Sequence, residues 1–206
     1  MNPTIAFPTK AVRIPWARWI SNLFAPPVVW GLMAFPVALR GAATQEQGLL
    51  WAFTYIALVC ILPVCYIGLM VMRGQITDLH MRVREQRIRP FMVTILCTLV
   101  AWGVLALMQA APLLLTFCAI SLVQIMIMLL ITLIWQISMH TMSITSAIVT
   151  GGALFGIGAA ALSLPLIGLV GAARYSLRRH TLSQLVAGSI LGGGLTLVLI
   201  AVTRVL

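Results

Sequence analysis

The sequence predicts an all-α integral membrane helical bundle with six to seven transmembrane helices, and three observations lead there. The chain is 62% hydrophobic with a mean hydropathy of +1.10, more apolar surface than a soluble domain of 206 residues can bury. Apolar runs recur at 19–39, 49–72, 91–109, 113–134, 141–159, 161–174 and 185–203, most of them near the ~20 residues a helix needs to cross hydrocarbon. Backbone amides in lipid must be bonded within the protein, so the spans are expected to be helices and not sheet. The length suits one domain over 1–206, with a motif-bearing core at about 50–203 and an N-terminal segment, 1–48, that adds a span.

The elements follow in order. Lys10, Arg13 and Arg18 precede an apolar stretch holding Pro26, Pro27 and Pro36, which reads as a retained first span and not a cleaved signal peptide. After the 49–72 run comes a polar, arginine-rich segment ending at Pro90. Proline opens the next span there because its missing N–H would be unpaired in a first helical turn anyway. The 161–174 run is short and contains Pro165, so it is expected to be tilted or partly buried in protein. Gly152-x3-Gly156, Gly168-x3-Ala172 and Gly188-x3-Gly192 are small-xxx-small faces that let helices approach closely. They read first as packing within the chain and second as a homo-oligomer face. Cys60, Cys65, Cys97 and Cys118 all lie in apolar runs without a CxxC pair, as small packing residues do.

The formal net charge is +10, from 13 Lys and Arg against 3 acidic residues. The basic residues border apolar spans, so lipid headgroups and topology explain them better than nucleic acid does. With seven crossings, every Lys and Arg except Arg40 and Arg204 falls on the side of the N-terminus. The positive-inside rule then makes that side cytoplasmic and the membrane the cell (inner) membrane.

Three short clusters converge on this same face, because two spans separate each from the next. The first is Arg82-x6-Arg89-Pro90, with Asp78 and Glu85 available to pair with its arginines and His80 read as a surface residue. Seven residues are about two helical turns, so Arg82 and Arg89 can face one substrate. The second is Ser138-Met139-His140, at the start of a helix where unpaired amides favour an anion. The third is Arg174-x5-His180-x3-Gln184. His180 and Gln184 share a helical face at i, i+4, and Arg174 offers a planar fork for phosphate oxygens. Arg178 and Arg179 read as headgroup anchors. Arginines and histidines gathered at helix ends, in a chain with 8% charged residues, point to an anionic substrate.

In order and internal spacing, the three clusters resemble the membrane branch of the type 2 phosphatidic acid phosphatase superfamily, whose pattern is K-x6-R-P, P-S-G-H and S-R-x5-H-x3-D. Here they read Arg82-x6-Arg89-Pro90, Ile137-Ser138-Met139-His140 and Ala173-Arg174-x5-His180-x3-Gln184. The likeness covers residues 82–184, and the flanking spans extend it to 50–203. It implies a metal-independent phosphatase without cofactor, acting on a lipid phosphate or pyrophosphate among membrane lipids. His180 would attack phosphorus and His140 protonate the leaving group, while Arg82, Arg89, Arg174 and the Ser138 region would hold phosphoryl oxygens. Gln184 stands where the family has Asp, so it can fix the histidine tautomer but supplies no negative charge; Asp78 and Glu85 are the other candidates for that charge. Met139 stands where the family has Gly. These departures keep open a non-catalytic accessory subunit of a larger membrane complex. A polyprenyl transferase would need clustered aspartates, and this chain has one aspartate. A transporter would carry mid-span charges, and here they lie at span ends.

Overall fold

The computed structural model describes residues 14–78, 81 and 83–204, and these are helical with no strand among them. An amphipathic helix α1 (Pro15–Leu23) leads at a bend of 42° into α2 (Pro26–Gly41). Helices α3 (Gln45–Tyr55) and α4 (Leu62–Met72) run on through a π-helical turn at Ile56–Ile61. A 3₁₀ turn, Glu85–Arg87, opens α5 (Ile88–Leu107), followed by α6 (Pro112–Thr132), α7 (Met139–Phe155), α8 (Ile157–Ser163), α9 (Pro165–Ser176) and α10 (Leu182–Thr203). Gln45–Met72, Glu85–Leu107, Pro112–Thr132, Ile157–Ser176 and Leu182–Thr203 are long and apolar enough to cross a membrane, and α1–α2 makes a sixth if the bent pair is one span. The 141–159 run becomes α7, which is shorter at 17 residues and largely buried between its neighbours. The run holding Pro165 is the α8–α9 pair, which lies at the periphery and buries little of itself.

Breaks between helices have local causes. Pro63 has no N–H to return to the carbonyl four residues back, and just before it the Leu62 amide reaches five residues to Ala57, giving the wide turn. Gly156, at φ +93°, takes a backbone conformation closed to most L-residues and separates α7 from α8. One apolar core forms between α2, α3, α5 and α6, where Trp30 and Tyr55 stack on Phe117 at 4.9 and 5.3 Å between ring centroids. A second gathers Phe91, Met128, Ile137 and Met142 below the polar loops.

The closest helix pairing is α7 with α10, and it rests on glycine. A Cβ on Gly188 would collide with the Ser138 carbonyl, and one on Gly192 with the Met142 carbonyl. The backbones therefore touch, as small residues permit in membranes, where dispersion and hydrogen bonds drive helix association. Thr141 Oγ1 donates to the Leu185 carbonyl at 2.9 Å, and the Ser138 amide donates to the Gln184 carbonyl at 3.1 Å. Farther along, the fully buried Gln124 of α6 donates from Nε2 to Ser146 Oγ, Thr196 Oγ1 and the Gly192 carbonyl, tying α6, α7 and α10. The Gly188-x3-Gly192 face is thus used within the chain.

This packing makes a paired prediction. Gly192→Ala forces α7 and α10 apart and should cost about 1–3 kcal/mol. Gly194→Ala, whose Cβ meets nothing within 4 Å, should leave the thermal midpoint in detergent unchanged or slightly raised. Equal midpoints for the two variants would contradict the assignment.

Candidate functional site

At one end of the bundle four basic side chains line a single cavity of about 320 Å³: Arg87, His140, Arg174 and His180. All four are buried, at 4%, 6%, 2% and 7% exposure. Apolar walls continue from them between α2, the π turn, α5 and α6, through Val59, Pro63, Ile67, Phe91 and Ile125. Its size falls at the lower end of small-molecule sites.

His180 owes its place to two helix ends. Helix α9 closes in a Schellman turn: the Arg179 amide donates to the Arg174 carbonyl at 3.1 Å and the Arg178 amide to the Tyr175 carbonyl at 2.8 Å. Arg178, at φ +51°, occupies the left-handed position that glycine usually fills. Three residues on, Thr181 caps α10 in a reciprocal capping box with Gln184. Gln184 Oε1 accepts the Thr181 amide at 3.0 Å and lies 3.3 Å from His180 Nδ1. The amide N–H can only donate, so the atom beside it is the oxygen, and Nδ1 must carry the imidazole proton. That leaves Nε2 of His180 with its lone pair. Burial, then the Arg174 and Arg87 guanidinium groups, push the imidazole from its ordinary 6.5 to about 3, with the Gln184 hydrogen bond opposing. His180 is therefore neutral at pH 7.

At His140 the partner is a backbone carbonyl. The ring Nε2 lies 3.0 Å from the Ser21 backbone oxygen and 3.4 Å from Ser21 Oγ. A carbonyl only accepts, so Nε2 bears a proton. Arg174 donates from Nη1 to Ser21 Oγ at 2.7 Å, and its Nε is buried without a partner. Only two ion pairs occur among the described residues, Arg179 with Asp78 at 3.0 Å and Arg84 with Glu85 at 3.3 Å. No carboxylate lines the cavity, and no three His, Cys, Asp or Glu side chains gather among the described residues to hold a metal ion.

The structure places the remaining sequence candidates as follows. Arg82 lies outside the described residues, as does His80. Arg89 is exposed and does not line the cavity; the buried arginine of that segment is Arg87, held by Nε to the Met81 carbonyl at 2.9 Å. Residues two apart on a helix point about 200° apart, so only one of the pair can face inward. Ser138 is a buried N-cap of α7, its Oγ accepting the Thr141 amide at 3.4 Å, and it stands behind the cavity wall. Met139, at the first position of α7, keeps ordinary helical backbone and turns its side chain to the cavity. Asp78 and Glu85 pair with Arg179 and Arg84 and stay out of the cavity. Arg179 is thus an ion-pair partner and not only a headgroup anchor. Sequence reasoning passed over Arg87 and Ser21. Arg87 had a signal: Arg87, Phe91, Thr94 and Thr98 are one helical stripe, and all four line the cavity.

Comparison with protein-family models, with curated proteins and with solved structures finds no match for this chain.

A depressed histidine pKa is also a stability statement. His180 stays neutral in the fold down to about pH 3, whereas the unfolded chain protonates near 6.5. Between those values the unfolded state binds the extra proton, so stability is present above 6.5 and is lost as pH falls through this window. The thermal midpoint in detergent should drop from about pH 7.5 to about pH 5, and His180→Asn should flatten that drop. An equally steep drop in the variant would remove His180 as its source.

Proposed function

We propose that this protein is a membrane-bound, metal-independent phosphatase of the type 2 phosphatidic acid phosphatase kind, acting on a lipid phosphate or pyrophosphate through a phosphohistidine. The carrying observation is a histidine with a bare, buried Nε2 beside a second buried histidine and two buried guanidinium groups that have no carboxylate in their cavity. A bare Nε2 on His180 is a nucleophile, and His140 is the general acid when it is an imidazolium. As the Nε2–P bond forms, the P–O bond to the leaving group breaks. His140, as its imidazolium, keeps Nε2–H on the Ser21 carbonyl, gives its other ring proton to the departing oxygen and is left neutral. In the second half it takes a proton from water whose oxygen attacks phosphorus, and the N–P bond breaks to restore His180. Arg174 and Arg87 hold phosphoryl oxygens, so that most of the rate comes from positioning and charge stabilisation. The apolar walls suit a lipid tail, and the basic residues at the same end of the bundle favour the cytoplasmic face of the inner membrane.

A second reading keeps the fold and a bound lipid anion but no turnover, as an accessory subunit of a membrane complex. The exposed Arg89 and the uncharged Gln184 favour it.

Phosphate release by the detergent-purified protein, with EDTA present, over a panel of lipid phosphates and pyrophosphates separates the two. The phosphatase reading expects release that survives EDTA, an acid-labile phosphohistidine, and a fall of at least about 10³-fold in His180→Ala. Release no greater than that of the variant on every substrate would leave the accessory reading. Gln184→Leu frees the Nδ1 proton and should lower kcat between about 10²- and 10⁴-fold with little change in KM. A kcat within a few-fold of wild type would show that the tautomer needs no lock.

A further inference from the structure

We infer that Ser21, in the last turn of α1, is a positioning residue of this site: its hydroxyl holds Arg174 by Nη1 so that the Nε–Nη2 edge of the guanidinium faces an anion in the cavity. The inference rests on the proposed function only for naming that anion a phosphoryl group.

The argument starts from the shape of guanidinium. Nη1 lies on the Cδ side, while Nε–H and one Nη2–H point the same way and form the fork that takes two oxygens of one phosphate. In this structure Nη1 is the nitrogen bonded to Ser21 Oγ, at 2.7 Å. Nε, on the opposite edge, is buried and has no partner among the described residues. A buried donor left unpaired is unfavourable, and Arg174 is a lining residue of the cavity. The fork is therefore held with its Nε unpaired by the protein, and among the described residues Ser21 is the one side chain bonded to Arg174.

The local sequence makes Ser21 available for this. Ala17 and Ser21, four residues apart, are the buried face of α1, and their small size lets the helix lie against α9. Trp16 and Trp19 are exposed, as suits indoles at a membrane–water boundary. Pro26 and Pro27 stop the helix, and the Ala25 amide turns to the Asn22 carbonyl at 3.2 Å. The Ser21 carbonyl is thus released from its helical amide and accepts His140 Nε2 instead, at 3.0 Å. One turn of an interfacial helix sets an arginine from α9 and a histidine from α7.

Inorganic phosphate binding to the full-length protein in detergent, measured by calorimetry, tests this. Ser21→Ala should weaken binding roughly tenfold, the lower end of what a hydrogen bond to a charged group contributes. Ser21→Thr, which keeps the hydroxyl, should restore most of it. In an Arg174→Lys background Ser21→Ala should have little further effect, because it acts through the fork. A thermal midpoint for each variant confirms that it is folded. Unchanged or tighter binding in Ser21→Ala, equal losses in both Arg174 backgrounds, or no phosphate binding by the wild type would each overturn the assignment. Wild-type binding without release from any lipid phosphate would sink the phosphatase reading alone and leave Ser21 in its role.

Discussion

The backbone contact of α7 with α10 is the constraint on which the site depends. His140 and His180 are forty residues apart and sit on different segments. They share a cavity because Gly188 and Gly192 let the α10 backbone come against the Ser138 and Met142 carbonyls. The same contact puts the Ser138 amide on the Gln184 carbonyl, so the first turns of both helices are bonded to each other. A lipid-facing helix gains nothing hydrophobic by joining a neighbour, since the tails are equally apolar. Close approach and internal hydrogen bonds must supply the association, and here they are concentrated beside the histidines. Stability of the pair and geometry of the site are one requirement.

The electrostatics follow from what the chain omits. Two buried arginines ordinarily call for buried carboxylates, because an unpaired charge out of water is strongly unfavourable. This chain has 3 acidic residues, and the two near this end pair with Arg179 and Arg84. Arg174 and Arg87 are instead held by neutral acceptors, the Ser21 hydroxyl and the Met81 carbonyl. Neutral acceptors orient a guanidinium without cancelling its charge, and Asp78, outside the cavity, offsets only part of it, so the cavity keeps a positive potential. Burial, and after it that potential, hold His180 unprotonated before any anion arrives. In the proposed reaction an incoming phosphate relieves the arginines, so binding energy and nucleophile readiness would come from one charge imbalance.

Much of this was legible in the sequence and some was not. Helices and their approximate bounds followed from apolar runs, because lipid allows little else. The convergence of His140, Arg174 and His180 followed from counting spans. The choice between Arg87 and Arg89 needed helical phase. A motif read by spacing alone gave Arg89, while the stripe through Phe91, Thr94 and Thr98 leads to Arg87. Ser138 looked like a phosphate ligand because a serine before a helix suits both an anion and a cap, and the structure uses it as a cap. Ser21 was out of reach: it stands far from every cluster in sequence, and its role arises from how α1 folds back on α9. Arg82 cannot be set against the expectation, since it lies outside the described residues.

Gln184 shows why a departure from a familiar pattern is best read through its bonds. A carboxylate at this position would cap α10, fix Nδ1–H and add a negative charge. The carboxamide does the first two with one oxygen, accepting Thr181 N–H and His180 Nδ1–H together, and leaves out the third. Without that charge the imidazolium ring of a phosphohistidine is less stabilised, so forming it is slower. The same lack makes the ring a better leaving group when water attacks, so breaking it is faster. In the proposed reaction a Gln in place of a carboxylate thus shifts the balance of the two half-reactions away from the covalent intermediate, while the geometry that aims Nε2 is retained.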